Sequence, residues 1–423
     1  MKTIRKIMAA ATCVMMTASL AGCGQASPDG IPEIEIVSYK REAVQVMEEI
    51  QDLFNATHDD VRLKISSPNE AMTILKTRFI RDDYPDIVAI GGDINYSNFL
   101  DAGLFMDISD LPALQNVKPG YLDIDKQLEF VEMEGTYALP YVANAAGVLY
   151  NKDLFDEYGW KIPKTWDEFL ALCEAIQAKG LMPLYFGYKD TWTTLAPWNA
   201  LAVDLVDADI CSQVNKNEAT FADAYREVAT KQKELLQYCQ PNPYAYSYTD
   251  AATAFANGEA VMWPIGSYAI SQVQSVNPDM NIDSFVMPGS NDPEKNILNS
   301  GIDVQFSVME NCPNKEAAYE VLDFLYSDEV LNMYLEDQGG IATKKGEFPI
   351  AEYLKGMETY ILAGEVADYQ DHHYPTEMAV DAMIQTYLLD EKKDALDTFL
   401  NKFDTEWIRY NRDLIARLQK EES

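Results

Sequence analysis

The chain reads as an α/β protein of two or more lobes, and three observations predict this. Residues 33–90 show strand and helix patterns in the order strand, helix, strand, helix, strand, which begins a mostly parallel sheet with helical crossovers. The 423 residues are more than one hydrophobic core ordinarily holds. Hydrophobic residues make up 48% of the chain with no low-complexity tract, so core-forming sequence runs throughout.

The elements follow in order. Glu33–Tyr39 sets Ile34 and Ile36 between acids, a strand signal. Lys40–Ala56 places Ala43, Met47, Ile50 and Phe54 on one helical face. Val61–Ile65 alternates again, Glu70–Ile80 has a helical pattern, and Asp86–Ile90 is an apolar strand ending at Gly91-Gly92. Thr165-Trp166-Asp167-Glu168 is a capping box that opens a helix running through Ala178, with Gly180 as its stop. Asn314–Ser327 is a further helix with Ala318, Val321, Leu322 and Leu325 on one face, and Ser327-Asp328-Glu329 starts another. The last forty residues have a helical pattern. In such sheets ligands sit beyond the carboxyl ends of the strands, here Ser38-Tyr39-Lys40 and Gly91-Gly92-Asp93.

The N-terminus carries Lys2, Arg5 and Lys6, then an apolar run from Ile7 to Leu20 that is short for a bilayer span. Leu20-Ala21-Gly22-Cys23 resembles a bacterial lipobox. That resemblance implies that residues 1–22 are a signal peptide, that Cys23 is lipidated, and that residues 23–30 form the anchor and tether. An ordinary secretory signal is the alternative, and both readings export the protein. The formal charge is −35, and removing the leader leaves 30 basic side chains against 68 acidic ones. A surface this acidic argues against nucleic acid, and it favours a neutral or cationic ligand over an anionic one. No CxxC pair occurs among Cys173, Cys211, Cys239 and Cys312, which leaves pairing of Cys211 with Cys239 open.

Five motifs lie in one register. They are Gly135–Tyr141 with Val148–Phe155, Pro163–Phe169, Ala254–Met262 before Gly266-Ser267-Tyr268, Phe285–Gly289, and Pro313–Ala318. Together they resemble the family 1 extracellular solute-binding proteins, the carbohydrate receptors of ABC importers. The resemblance implies a two-lobed periplasmic-binding-protein-like fold (type II), its lobes joined by hinge crossovers near Pro140-Tyr141, Met287-Pro288 and Leu335. One lobe would be residues 31–141 plus 288–333, the other 142–287 plus 334–423. It further implies a monomeric, lipid-anchored receptor on the outer face of the cytoplasmic membrane. That receptor would capture a sugar between its lobes and deliver it to a permease, with no catalysis and no cofactor.

A sugar site needs flat aromatics for C–H faces and carboxylates or amides for hydroxyls. Tyr39 and Asp93 follow strand ends, Asp93 also being placed to cap a helix. Tyr141 and Asn144 sit just past the first crossover, and Trp192 lies in the loop Lys189-Asp190-Thr191-Trp192. Trp263 and Tyr268 flank Pro264-Ile265-Gly266, where the glycine would let the backbone approach a ligand. Asp303, and Tyr374 or a histidine of His372-His373, complete the set. Trp160, Trp166, Trp198 and Trp407 are expected to pack. His372 and His373 have few partners for the four ligands of a structural zinc, so a metal is not expected. Two rival functions stand beside the sugar receptor. An acidic aromatic box would also hold a polyamine, and a pair of the many acids would serve a glycoside hydrolase.

Overall fold

The computed structural model describes residues 30–421. The leader, Cys23 and the tether up to Asp29 lie outside the described residues. Two sheets carry the fold. The strands in chain order are β1 (Glu33–Ser38), β2 (Arg62–Ser66), β3 (Ile87–Ile90), β4 (Leu139–Ala143), β5 (Ala146–Asn151) and β6 (Met262–Gly266), then β7 (Ile282–Phe285), β8 (Leu298–Asn299), β9 (Ile302–Val308), β10 (Ile341–Ala342) and β11 (Val366–Ala367). The first sheet runs β10-β4-β9-β3-β1-β2, and the second runs β11-β8-β5-β6 with β7 also paired to β5.

The predicted opening of the first sheet is present. β1 pairs in parallel with both β2 and β3, with Ile36 opposite Ile65 and Ile87. The connecting helices are Val44–Thr57 and Ala71–Ile80, and the first buries Met47, Ile50 and Phe54 as the periodicity requires. β9 then enters antiparallel between β3 and β4, so the sheet is mixed. Both faces of this sheet are covered, which is why all four residues of β3 are buried.

The Thr165 cap forms in a shifted way. Thr165 Oγ1 accepts from the Glu168 amide at 3.3 Å, but the Glu168 carboxylate reaches past the cap and accepts from the Lys164 amide at 2.7 Å. Asn314 and Ser327 cap the helices Lys315–Leu325 and Asp328–Gln338. The C-terminal pattern resolves into two helices, Ala395–Tyr410 and Arg412–Glu421.

The chain passes between the sheets three times, and each passage comes later than the motifs suggest. All of β4 belongs to the first sheet, so the first crossing is at Asn144-Ala145 and not at Pro140-Tyr141. β8 still pairs in the second sheet, so the second crossing is at Ser300-Gly301 and not at Met287-Pro288. Residues beyond Leu335 stay with the first sheet through β10, which pairs with β4, and Lys344, which bridges Val117. Glu352–Met357 then lies against β7 of the second sheet, with the Gly356 amide donating to Asp283 Oδ1 at 2.9 Å and Ser284 Oγ donating to the Tyr353 carbonyl at 2.6 Å. Strand pairing sets these points. Thr343 Oγ1 donates to the carbonyls of Pro140 and Tyr141 at 2.8 and 2.9 Å and pins the end of β10 to β4.

The second lobe buries Trp166, Trp198 and Trp407 in one core that spans residues 148–407. Cys173, Cys211, Cys239 and Cys312 are all free thiols, so the pairing left open for Cys211 and Cys239 is not formed. Among the described residues no helix is long and apolar enough to cross a membrane.

Thr343→Val keeps the side-chain shape and removes the bridge between β10 and β4. The expected cost is about 1–2 kcal/mol of stability, read as a lower urea midpoint at unchanged slope.

Candidate functional site

The lobes face each other across a cleft, and a cavity of about 640 Å³ there is lined by residues that include Lys40, Asn144, Tyr268, Asp303 and Tyr353. The first-lobe wall comes from strand ends. Tyr39 follows β1, and its hydroxyl donates to the Asp303 carbonyl at 2.7 Å and lies 3.2 Å from Asp303 Oδ1. Lys40 Nζ sits 2.7 Å from both carboxylate oxygens of Asp303. Burial, reinforced by Asp303, pushes the Tyr39 phenol well above its ordinary pKa, so it remains a neutral donor. Asp93 caps the helix Ile94–Asp101, accepting from the Asn95 amide at 2.7 Å, which is the capping role its position allowed. Its charge also acts on Tyr39 and His372.

The second-lobe wall has an aromatic part and a polar part. Trp192 and Tyr268 are each 41% exposed, unusual for large rings, and their centroids lie 6.2 Å apart. Tyr248 packs 5.0 Å behind Trp192 and is in turn backed by Trp263 at 5.7 Å. Asp190 Oδ2 accepts from the Tyr248 amide at 2.7 Å and holds this loop to its neighbour. The polar part is the segment Asp368–His373. The Tyr369 hydroxyl donates to Asn144 Oδ1 at 2.6 Å. Asp371 accepts from the Asn199 amide at 2.6 Å, and burial raises its pKa.

Asp368 is buried between two imidazoles, 2.8 Å from His372 Nδ1 and 3.4 Å from His373 Nε2. Burial alone would lower the His372 pKa. Asp368 outweighs it, with Asp371 and Asp93 adding to the effect, and raises it to about 9. Asp368 is held below the usual carboxylate range by the two imidazoles despite its burial. Among the described residues no group of three or more His, Cys, Asp or Glu side chains is arranged to hold a metal ion.

Of the nine candidates, Asn144, Tyr268 and Asp303 line the cavity, while Tyr39 adjoins it through Asp303, Trp192 through Tyr268, and Asp93 caps a nearby helix. Three are corrected. Tyr141 is fully buried, edge-on to Phe306 and Tyr334 at 5.1 and 5.2 Å, because β4 is central and covered on both faces. Trp263 is 1% exposed within β6, where it supports Tyr248 from behind. Tyr374 is buried, donating to the Tyr225 hydroxyl at 2.8 Å and accepting from Trp198 Nε1 at 3.1 Å. Gly266 is also reassigned, since an added Cβ would come within 2.7 Å of Tyr268 Cδ1. The glycine makes room for the tyrosine ring itself.

Lys40, Tyr248, Tyr369 and Asp371 are additions. The strand-end rule that selects Tyr39 also covers Lys40. Tyr369 and Asp371 lie beside the histidine pair. Tyr248 carries no local signal.

A cleft between two α/β lobes, walled by exposed rings on one side and hydrogen-bonding groups on the other, defines a small-molecule binding protein. The family model for bacterial extracellular solute-binding proteins matches residues 39–331, and the chain belongs to that family. It is 27% identical over 361 residues to the multiple sugar-binding protein of Streptococcus mutans, covering 82% of this chain and 84% of that one. Apo RafE of Streptococcus pneumoniae superposes with a TM-score of 0.79 at 26% identity, over 89% of this chain and 97% of that one. RafE in complex with raffinose gives 0.72 at 26% identity, over 89% and 99%.

Two predictions follow from the geometry. At Gly301 an added Cβ would meet His372 Cε1 and the Tyr369 ring at 2.5 Å. Gly301→Ala is therefore expected to destabilise the fold by about 1–3 kcal/mol, seen as a lowered melting temperature. The second concerns pH. The folded state holds the His372 proton to about pH 9, whereas the ordinary histidine value is 6.5. The imidazolium contribution is thus complete below pH 6.5 and is lost as pH rises through about 9. His372→Gln is expected to flatten the stability profile across that window, measured by urea unfolding at a series of pH values.

Proposed function

We propose that this protein captures a neutral oligosaccharide between its two lobes and delivers it to an ABC import permease, held at the outer membrane face by a lipid on Cys23. The observation that carries this reading is the pair Trp192 and Tyr268. Two half-exposed rings on one wall face a wall of hydroxyl-binding groups, which suits the apolar faces and hydroxyl rim of sugar rings. The names of two relatives support it, a multiple sugar-binding protein and a RafE solved with raffinose.

Lys40 weighs against a polyamine, because its ammonium group lines the same cavity and already holds Asp303. A hydrolase needs two carboxyl groups free to flank the bond that breaks. Here Asp303 is held by Lys40, Asp93 caps a helix, and Asp371 accepts from Asn199. We read the protein as a receptor without catalysis, acting as a monomer.

The test is a thermal-shift screen of mono- and oligosaccharides, with polyamines alongside, on the chain from Gly24 onward. A sugar that binds only the folded state stabilises it by about 2.7 kcal/mol at one hundred times its dissociation constant. A shift with an unchanged sugar supports the receptor reading. A shift with polyamines alone, or breakdown of the sugar, overturns it. Trp192→Ala is expected to weaken binding of that sugar by about tenfold with an unchanged melting temperature of the free protein, measured by calorimetry. Cys23→Ser is expected to move the protein from the membrane fraction to the medium.

A further inference from the structure

The helix Pro119–Gln127 belongs to the first lobe, where Tyr121 and Ile124 enter the core. One face of it turns towards the second sheet. Lys118, Tyr121 and Asp125 follow one another by three and four residues and share that face. Lys118 Nζ donates to the carbonyls of Ala342 and Ile361 at 2.9 and 3.3 Å, and the Tyr121 hydroxyl lies 3.1 Å from that of Ser300. At Gly120 an added Cβ would come within 2.6 Å of the Gly364 carbonyl oxygen and 2.9 Å of Val366 Cγ2. The helix therefore lies directly against β11, a strand of the second sheet.

Asp125 ends this face. It is buried, and among the described residues neither of its carboxyl oxygens has a hydrogen-bond donor. A carboxylate out of water needs a cation or a proton. Lys126 is adjacent, but its ammonium is bound to Glu129 Oε1 at 2.8 Å and to the carbonyls of Met133 and Gly135 at 2.7 and 2.6 Å. The Gln305 amide of β9 turns towards Asp125 without a close hydrogen bond at either end.

Asp368, just after β11, is a second buried carboxyl group and acts on Asp125 across the junction. The two have unequal surroundings. His372 and His373 flank Asp368 and hold it as the carboxylate, whereas no cation binds Asp125. When two carboxyl groups are set close, the proton goes to the one without cations. Burial first, then Asp368 and Glu129, raise the Asp125 pKa well above the ordinary 3.8, against smaller pulls from Lys126 and Gln305. Tyr96 of the helix Ile94–Asp101 faces the same group, and its phenol is held neutral by burial and then by Asp125.

We propose that Asp125 is a buried proton-binding site that fastens the helix Pro119–Gln127 to the segment 364–373, and so makes the junction of the lobes sensitive to pH. Neutral, Asp125 packs against Asp368. Ionised, it opposes Asp368 and the contact opens. The unfolded chain gives up this proton near 3.8 and the folded chain only at higher pH, so the group counts increasingly against folding as pH rises through that interval. The site is independent of what the cleft binds.

The experiment compares the full chain with Asp125→Asn, a neutral group of the same shape. Infrared difference spectra at neutral pH are expected to show a carboxylic-acid carbonyl band in wild type that the variant lacks. The urea midpoint of the variant is expected to rise relative to wild type between about pH 4 and about pH 8. Amide hydrogen exchange, corrected for its intrinsic rate, is expected to show protection of residues 119–127 and 364–373 falling in wild type as that band is lost, and not in the variant. A missing band, or a gap in midpoint that does not change with pH, overturns the proton site. Protection that falls equally in both proteins, or in neither, overturns the fastening. Asp125→Ala serves the same comparisons if the amide is not accommodated.

Discussion

A knot of hydrogen bonds around Asn144 ties the two lobes where the chain crosses between them, and the cleft is built on it. The first crossing contributes Asn144, whose backbone amide donates to the Gly301 carbonyl at 3.1 Å. The second contributes Ser300, whose hydroxyl donates to the Asn144 carbonyl at 2.7 Å and meets the Tyr121 hydroxyl at 3.1 Å. The third brings Tyr369 to the Asn144 side chain and the Ala367 carbonyl to the Ser300 amide at 2.9 Å. The floor of the cleft and the junction of the lobes are therefore the same residues. A ligand held at a junction of this kind can bias a two-lobe equilibrium by its differential contacts with the two states.

The walls above this floor are held before any ligand arrives. Trp192 sits in a short 3-10 turn, an element with little rigidity of its own. Its position comes from behind: Trp263 in β6 backs Tyr248, Tyr248 backs Trp192, and Asp190 fastens the backbone of Tyr248. On the opposite wall Lys40, Tyr39 and Asp303 form a closed set of bonds. Side chains fixed in this way lose little freedom on binding, so more of the contact energy appears as affinity.

Much of the fold was legible in the sequence because period alone carries it. The Ile34, Ile36 alternation and the Met47, Ile50, Phe54 spacing each name a buried face, and β1 and the helix Val44–Thr57 bury those faces. The strand-end rule selects Tyr39 and Asp93, which the structure places on Asp303 and at a helix cap. The candidate site was not legible within strands. Tyr141 in β4 and Trp263 in β6 have aromatic chemistry and sit near crossings, yet every residue of both strands is buried, so sequence position does not separate cleft face from core face. Tyr374 failed for another reason: its partners Trp198 and Tyr225 are 176 and 149 residues away, and no local pattern reveals such a contact. The crossings differ from those the resemblance implies because a local motif carries no pairing information, while strand pairing such as β10 with β4 decides where the chain leaves a sheet.

The charge of the whole molecule and the charge of the cleft follow different rules. A formal charge of −35 spreads over the chain, and at physiological salt its field is screened within about 8 Å of the surface. In and beside the cleft four acids already have partners, while Glu42 and Glu336 also line the cavity. Asp303 faces Lys40, Asp368 faces two imidazoles, Asp371 takes an amide from Asn199, and Asp93 takes backbone and side-chain N–H groups from Asn95. A cation binding at those four acids would have to displace these bonds, and an anion would first have to approach an acidic surface. A neutral ligand rich in hydroxyls meets neither cost, because it can accept from Lys40 and donate to carboxylate lone pairs that the present partners leave open. The local pairing of charges therefore bears on the solute a cleft can take as much as the net acidity does.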